Sequence, residues 1–357
     1  MTSAAGRARP LRIVQWTTGN VAREAVRAVT SRADMEMVGA FAHSAHKEGV
    51  DVGTLCGLDD ELGVTATRDV DELLGRDVDC VVYTPLHFDS GDVARILRAG
   101  IDVVTSAEFL TGRNLPVAER DDLAAAAADG GATLFGSGAN PGYMQMLAGV
   151  ITGVSTSVTR ATVTESVDVS LFIGDANFAG VGWGRPRDSP GHAEDVEKAT
   201  EVFAEGVEAL ALLMGTELDD IVCDVEFAYG TEDLVADGVE IREGCVAAMT
   251  VDWHGRVGGD TVISTRQRWL ATTALDRPWE AEHAYLIDIV GDPNIRVRLD
   301  LVPTEADLAD LTPDRMRGIG LRITAAPLVN AIPAVCAAPA GIVTFADLRT
   351  PAARLRR

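Results

Sequence analysis

Apolar residues follow two different patterns along the chain. In the first half, short runs rich in valine and isoleucine alternate with longer segments of helical periodicity, which predicts a parallel sheet wrapped by helices. Because parallel strands need right-handed crossovers, their carboxyl ends share one edge of the sheet, and ligands bind in the loops there. Five strands are predicted, at Leu11–Gln15, Met35–Ala42, Cys80–Thr84, Asp102–Ser106 and Thr133–Gly136.

From about residue 149 the pattern changes to long alternating strands, which predicts a mostly antiparallel sheet. One long helix is predicted to interrupt it, from His192 to Met214, with Gly215 at its end. The apolar tail from Asn330 to Phe345 is predicted to be core and to return to the first domain. The strands of this second region are predicted at Ser157–Phe172, Gly244–His254, Thr261–Ala271 and Tyr285–Leu301.

Composition narrows the class of protein. The chain has 357 residues, 47% of them hydrophobic, and its 31 basic and 54 acidic residues give a net charge of −23. Such a charge repels phosphate backbones, so no nucleic-acid partner is expected. The five cysteines form no C-x-x-C pair or histidine cluster, which favours a reduced, cytoplasmic protein without a metal site. No run approaches about 18 apolar residues, so no membrane association is expected.

The first loop at the ligand edge has the composition of a dinucleotide-binding turn. Between a predicted strand and an amphipathic helix, the chain reads Trp16-Thr17-Thr18-Gly19-Asn20-Val21-Ala22. Against G-x-G-x-x-G/A, Gly19 stands at the second glycine and Ala22 at the third, whereas Thr17 replaces the first. Amides at the start of the helix would hold the pyrophosphate. The motif alone leaves a turn that binds nothing as an equal alternative.

The second loop bears on the choice of dinucleotide. No acid closes the second predicted strand, where NAD-binding sheets place one to hold a ribose hydroxyl. Ser44 and Lys47, together with His43 and His46, can instead donate to a 2′-phosphate, which favours NADP over NAD. Glu48 opposes that preference, and a polar surface turn is the alternative interpretation.

The remaining loops supply the candidate chemistry. Glu108 follows a buried-type strand and is flanked by Ala107 and Phe109, a setting that can move a carboxyl pKa toward working pH and suits proton transfer. An acid that complements a helix dipole is the alternative, and from the residues alone the more frequent one. Thr84 and Pro85 would border the ribose and nicotinamide.

Four segments together resemble one known group of proteins. The chain is similar to dihydrodipicolinate-reductase-like proteins, a group that includes 2,4-diaminopentanoate dehydrogenase and the native amine dehydrogenases, from about Arg12 to Leu348. The segments that carry the resemblance are Arg12 to Val21, Asp102 to Glu108, the turn Ala139-Asn140-Pro141-Gly142-Tyr143, and the tail Val329 to Ala338.

The resemblance implies a fold and an activity. It implies a Rossmann-type parallel-sheet domain at 11–148, an α+β domain for substrate and dimerisation at 149–325, and a segment at 326–357 that docks back. It also implies a homodimer that interconverts a small ketone or aldehyde, with ammonium, and an amine, using NADP or NAD. Glu108 is then the catalytic acid/base. The His-His-x-x-x-Lys segment of dihydrodipicolinate reductase is missing, which disfavours lysine biosynthesis, and Gln145 stands where relatives often carry an acid.

Three functions therefore remain to be separated. An NAD(P)-dependent amine dehydrogenase is expected, and the alternatives are an imine or carbonyl reductase that does not use ammonia and a non-catalytic NADP-binding redox sensor. The expected cofactor-binding residues are Thr17, Thr18, Gly19, Asn20, Val21, Ser44, Lys47, Thr84, Pro85, Ser106 and Asn330. The expected substrate-binding residues are Asn140, Pro141, Tyr143, Phe172, Phe178 and Trp183.

Overall fold

The computed structural model describes residues 9–279 and 281–348. The chain divides into two compact units, one formed by the residues up to 139 together with those from 320 onward, the other by residues 140–319. Each unit is built around its own sheet. The roles assigned above to residues 11–148, 149–325 and 326–357 stay predictions.

A parallel sheet of seven strands forms the first unit, in the order β15-β6-β5-β4-β1-β2-β3. The predicted strands are all present to within one residue of their predicted ends, and all adjacent strands pair in parallel. Two short strands were not predicted, because two or three residues are too few to show a pattern. The strands are β1 (Leu11–Trp16), β2 (Met35–Phe41), β3 (Ala66–Thr67), β4 (Cys80–Tyr83), β5 (Asp102–Thr105), β6 (Thr133–Gly136) and β15 (Gly341–Val343).

Helices cover this sheet and bury its central strands. All four residues of β4 are buried, as expected of a parallel strand covered on both faces. Asp89 accepts from the amide of Asp92 and so caps α4, whereas Gly131, at φ 68°, ends α5. The helices of this unit are α1 (Asn20–Thr30), α2 (Val52–Leu55), α3 (Val70–Leu74), α4 (Ser90–Arg98) and α5 (Val117–Gly130).

The second unit contains a six-stranded sheet in the order β14-β13-β7-β12-β11-β8 and a small hairpin of β9 and β10. Residues alternate along β11, with Val251 and Trp253 buried and Asp252 and His254 half-exposed, so one face is apolar and the other polar. The strands are β7 (Ser157–Asp168), β8 (Asp220–Tyr229), β9 (Leu234–Ala236), β10 (Val239–Ile241), β11 (Val246–Val257), β12 (Asp260–Leu270), β13 (Ala284–Asp292) and β14 (Ile295–Leu299).

Two strand predictions in this unit are wrong. The strand predicted to reach Phe172 ends at Asp168, whose carboxylate accepts from the amide of Ser170 and turns the chain. The strand predicted from Tyr285 to Leu301 is two strands, β13 and β14, joined by a turn in which Asn294 accepts from the amide of Gly291. The sheet also contains one parallel pair, β7 with β12, which alternation alone cannot distinguish from an antiparallel one.

The long helix predicted from His192 to Met214 is two helices, α7 (His192–Ala199) and α8 (Val202–Met214). The hydroxyl of Thr200 donates to Val196 O at 2.8 Å and accepts from Trp253 Nε1 at 3.2 Å. A hydroxyl that bonds to a carbonyl of the preceding turn competes with the backbone hydrogen bonds of the helix, so the helix is interrupted at Thr200. The other helices are α6 (Met144–Thr152), α9 (Glu305–Leu308) and α10 (Pro313–Val335).

The helix α10 begins in the second unit and ends in the first. Its length and composition would allow it to cross a membrane, and no other helix in the described part of the chain meets that test. Its second half is buried, however, through Ala325, Leu328, Ile332 and Val335, as in a core helix. The apolar character of the tail is therefore accounted for by packing.

Candidate functional site

The turn after β1 has the backbone of a dinucleotide-binding loop at its first position. Thr17, which replaces the first glycine, has φ 78°, a left-handed conformation that favours glycine. Two hydrogen bonds hold it there, from Thr17 N to Phe41 O at 3.0 Å and from Thr17 Oγ1 to Thr84 O at 3.1 Å. The hydroxyl thus compensates for the missing glycine by tying the first loop to the third.

The start of α1 is open and carries no side-chain cap. Gly19 occupies the N-cap, and nothing lies within 4 Å of the place that a Cβ would take. Arg23 N donates to Gly19 O at 3.1 Å, and the first turn contains no acid. The amides at the start of the helix, at Asn20 and Val21, are therefore placed as an anion requires, and the open space at Gly19 would admit a pyrophosphate.

Lys47 reaches from the second loop back to this turn. Its Nζ donates to Thr18 Oγ1 at 2.8 Å, so its charge lies beside the start of α1. Ser44, half-buried, begins a short 3-10 helix over residues 45–47 and makes no capping bond with its side chain. Glu48, which would repel a phosphate, forms an ion pair with Arg68 at 4.0 Å. Lys47 therefore brings positive charge to the start of α1, and Arg68 balances the negative charge of Glu48.

The third loop is anchored by a buried glutamine that the sequence did not single out. Gln15 Nε2 donates to Thr84 Oγ1 at 2.8 Å and to Val82 O at 3.1 Å. Gln15 is fully buried, so it fixes Thr84 and the half-buried Pro85 at the end of β4 relative to β1. A polar residue in the apolar run of β1 was the signal that could have indicated this role.

Glu108 projects from the same edge, just after β5. Its φ is 45°, another left-handed conformation, and 56% of its side chain is exposed. Ala107 and Phe109 on either side are buried whereas the carboxylate is exposed, so the apolar surroundings predicted for the carboxylate are wrong. His87 is the partner on the next loop, with Nδ1 3.2 Å from Glu108 Oε2.

Two further predicted cofactor residues lie in the first unit. Ser106 is half-buried directly before Ala107. Asn330, on α10, accepts from Arg32 Nη1 at 3.1 Å, and Arg32 in turn pairs with Asp34 at 3.0 Å. That arrangement ties the end of α10 to the loop that follows α1.

In the second unit, Asn140 belongs to a chain of hydrogen bonds that begins at its own turn. Gly142 N donates to Gln145 Oε1 at 2.6 Å, and Gln145 Nε2 donates to Asn140 Oδ1 at 2.9 Å. Asn140 Nδ2 then donates to Glu165 Oε2 at 2.9 Å. Gln145 therefore orients the Asn140 amide.

Glu165 is a candidate functional residue that sequence reasoning missed. It lies on β7 and accepts from Trp269 Nε1 at 3.0 Å and from the hydroxyl of Tyr285, besides Asn140. Burial raises the pKa of Glu165, and these three hydrogen bonds oppose the rise. An acid on the same face as the buried Ala161 and Val163 was the signal that could have found it.

The predicted aromatic wall lies in the second unit, in packed positions. Phe178 makes an edge contact with Trp269 at 5.2 Å between ring centroids, and Arg317 lies 5.3 Å over Phe172. Trp183 is buried, with its indole N–H unpaired among the described residues. Pro141 and Tyr143, at the start of α6, are half-buried.

A parallel sheet with an open glycine turn, and an acidic side chain on the same edge, are features found in dinucleotide-dependent oxidoreductases. The chain is 30% identical over 302 residues to an amine dehydrogenase from Streptomyces virginiae, a match that covers 80% of this chain and 84% of that protein. The chain belongs to the amine dehydrogenase family, as its sequence segments predicted. It is accordingly an NAD(P)-dependent oxidoreductase.

Two further proteins are similar to this chain, one in its fold and one over a short segment. The solved structure of amine dehydrogenase from Mycobacterium smegmatis has the same fold, with a TM-score of 0.76 and 22% identity over 97% of this chain and 98% of that one. A 4-hydroxy-tetrahydrodipicolinate reductase from Nostoc punctiforme is 36% identical over 63 residues, which are 18% of this chain and 23% of that protein. No family model matches the chain.

Proposed function

We propose that this protein catalyses the reductive amination of a small ketone or aldehyde with ammonia, and the reverse oxidative deamination. The observation that carries the proposal is the exposed carboxylate of Glu108 on the same edge of the parallel sheet as the open turn at Gly19. A group that moves protons and a seat for a dinucleotide are the two parts that this reaction requires.

Glu108 supplies the acid/base chemistry in this proposal. Its carboxylate takes a proton from ammonium, and the ammonia released adds to the carbonyl carbon to give a carbinolamine. The protonated carboxyl then gives its proton to the departing hydroxyl, which leaves as water. The carboxylate formed again lies beside the positive iminium and stabilises it. His87, 3.2 Å from Glu108 Oε2, orients the carboxylate between these steps.

The first unit would hold the cofactor, which supplies hydride to the iminium or accepts it from the amine. The residues from Thr17 to Val21 would bind the pyrophosphate. Ser44 and Lys47 would bind the adenosine ribose, and Thr84, Pro85, Ser106 and Asn330 the nicotinamide side. Because Lys47 brings a positive charge to this loop and Arg68 pairs with Glu48, we expect NADP to be preferred over NAD.

The second unit would bind the carbon skeleton of the substrate. Asn140 offers an oriented amide, and Pro141, Tyr143, Phe172, Phe178 and Trp183 are the proposed apolar wall. We also propose that the protein is cytoplasmic, since all five cysteines are free thiols. A homodimer is proposed on the family resemblance alone. The half-exposed face of the six-stranded sheet is the surface on which a second copy would pack.

Ammonium dependence tests the activity. Purified protein is mixed with reduced cofactor and a panel of small ketones and aldehydes, with and without ammonium, and cofactor oxidation is followed. We expect turnover only with ammonium. Turnover without ammonium would favour the imine or carbonyl reductase, and tight cofactor binding without turnover would favour the sensor. Replacing Lys47 by Gln should weaken the binding of NADPH more than the binding of NADH. The same replacement at the exposed Lys198 is the matched control.

A further inference from the structure

One buried side chain of the second unit has no partner for either of its polar atoms. Gln267, on β12, has 0% exposure, and neither Nε2 nor Oε1 makes a hydrogen bond within the described part of the chain. A buried amide normally pairs both groups, because an unpaired donor or acceptor loses its bonds to water without replacement. The position therefore requires a group that brings both an acceptor and a donor.

Gln267 lies beside Glu165 in the sheet. The two residues are register partners on the parallel strands β12 and β7, so their side chains point to the same face. It is the face covered by helices, because Thr265 donates to Phe203 O of α8 and Trp269 donates to Glu165. The unpaired amide and the carboxylate are therefore neighbours on the inner side of the sheet.

Glu165 retains capacity for one more hydrogen bond. A carboxylate has about four acceptor positions, and Asn140, Trp269 and Tyr285 occupy three of them. Among residues 9–279 and 281–348, no Lys, Arg or His forms an ion pair with Glu165. By its solvent exposure Glu165 is half-buried, whereas Gln267 beside it is fully buried.

The chemistry of the two residues selects the ligand. A hydroxyl can accept from Gln267 Nε2 and donate to Gln267 Oε1 or to Glu165. An ammonium group has only donors and would leave Nε2 unpaired, a carboxylate would be repelled by Glu165, and a methyl group would leave both amide atoms unpaired.

We propose that Gln267 and Glu165 recognise a hydroxyl group of the substrate that takes no part in the reaction. This inference rests on the proposed function and narrows its substrates to hydroxy ketones or hydroxy aldehydes and the corresponding amino alcohols. Asn140, held between Gln145 and Glu165, is a positioning residue for this site.

Three ketones of equal chain length test the proposal. The kcat/KM for reductive amination is measured with 4-hydroxy-2-butanone, with 2-pentanone and with 4-amino-2-butanone. We expect the hydroxy ketone to be favoured by at least about tenfold over 2-pentanone, since sites that bind a hydroxyl reject the analogue that lacks it. Equal rates, or preference for the ammonium analogue, would overturn the assignment. Failure of all three with every cofactor counts against the proposed function instead.

Two variants of Gln267 connect the preference to this residue. In Gln267→Leu, and in the more nearly isosteric Gln267→Met, the kcat/KM for the hydroxy ketone divided by that for 2-pentanone should fall to about one. An unchanged ratio in a folded variant would overturn the proposal.

Thermal unfolding without any ligand gives a readout independent of activity. Gln145 is the matched control, because it is equally buried but has both amide groups bonded. Gln145→Leu should lower Tm, whereas Gln267→Leu should leave Tm unchanged or raise it. If both Gln267 variants lower Tm as Gln145→Leu does, its amide is already satisfied in the free protein by water, and the hydroxyl site is refuted.

Discussion

Two glutamates, one in each unit, are opposites in their surroundings. Glu108 has an exposed side chain on a left-handed backbone, with His87 as its partner. Glu165 lies within a sheet and accepts from three donors. An exposed carboxylate can gain and lose a proton and follow a reacting group, whereas a carboxylate held by three donors cannot move without breaking them. The first is suited to proton transfer, and the second to holding other groups in place.

The largest effect should come from Glu108→Gln. Removing the acid/base group should lower kcat by about 10² to 10⁴-fold, because an amide cannot exchange the proton. The free energy of unfolding should change by less than about 0.5 kcal/mol, since the side chain is exposed. Steady-state kinetics and denaturant unfolding measure the two. Glu36→Gln, at a similarly exposed residue, is the control. If Glu108→Gln keeps a kcat near that of the wild type, Glu108 is not the acid/base group and the functional distinction between the two glutamates is lost.

The next effect concerns the turn on the same edge as Glu108. In Gly19→Asp, the new carboxylate would cap α1 and repel a pyrophosphate. The structure accommodates this side chain, because the Cβ position at Gly19 is open and the backbone φ of −82° suits any residue. The Kd for the dinucleotide should rise at least about 100-fold, near 2.7 kcal/mol, while the fold is as stable or more so. Gly19→Asn, of the same shape without the charge, should raise Kd less. Undiminished binding in calorimetry by Gly19→Asp would exclude this turn as the cofactor site.

Glu165→Gln should act on stability before it acts on chemistry. An amide has one acceptor oxygen, so at least one of the three donors would lose its partner, at a cost of about 1–3 kcal/mol. We expect a lower denaturation midpoint and a smaller fall in kcat than for Glu108→Gln. If the free energy of unfolding matched that of Glu36→Gln, the hydrogen bonds to Glu165 would contribute nothing.

The pH dependence sharpens the same comparison. Burial raises the pKa of Glu165 above its ordinary value of 4.5, so the folded protein holds this proton more tightly than the unfolded chain. Its contribution to stability is present below about pH 4.5 and is lost as pH rises through the folded pKa. The stability advantage of wild type over Glu165→Gln should therefore shrink as pH increases. An advantage that grows with pH would mean that the hydrogen bonds outweigh burial.

The smallest effects are expected at Thr17. Thr17→Ala keeps the left-handed backbone but loses the bond to Thr84 O, and should cost about 0.5–1.5 kcal/mol. Thr17→Gly loses the same bond but relieves the strain, and should unfold within about 0.5 kcal/mol of wild type. Denaturant unfolding of both variants measures the difference. Equal losses would show that the conformation at Thr17 carries no strain.

Much of the first unit could be predicted because its signals are local. A buried parallel strand followed by a turn and an amphipathic helix is visible within about 20 residues, so β1, the turn at Gly19 and α1 were predicted together. Glu108 was proposed as the acid/base because its strand predicts the edge on which it lies and because the family resemblance assigns that role to an acid at this place. The exposure of its carboxylate was not predicted, since flanking Ala107 and Phe109 do not reveal which way the side chain points.

The second unit was less predictable because its contacts are distant in sequence. Glu165 meets Trp269 across 104 residues, and nothing near either residue in the chain indicates the pair. The break at Thr200 depends on Trp253 in the same way, since the helical pattern continues through it.

By itself, then, the sequence determined the class of sheet in each half, the glycine turn after β1, the acid that follows β5 and the family. The first three depend on residues close together in the chain, whose periodicity and spacing are readable, and the family depends on four such short segments taken together. Only the tertiary structure decided that Gln15 joins β1 to Thr84, that Glu165 holds Asn140, and that the Gln267 amide has no hydrogen-bond partner among the residues that the structure describes. Strand order and direction bring these groups together, and a run of alternating residues does not encode which strand will lie beside it.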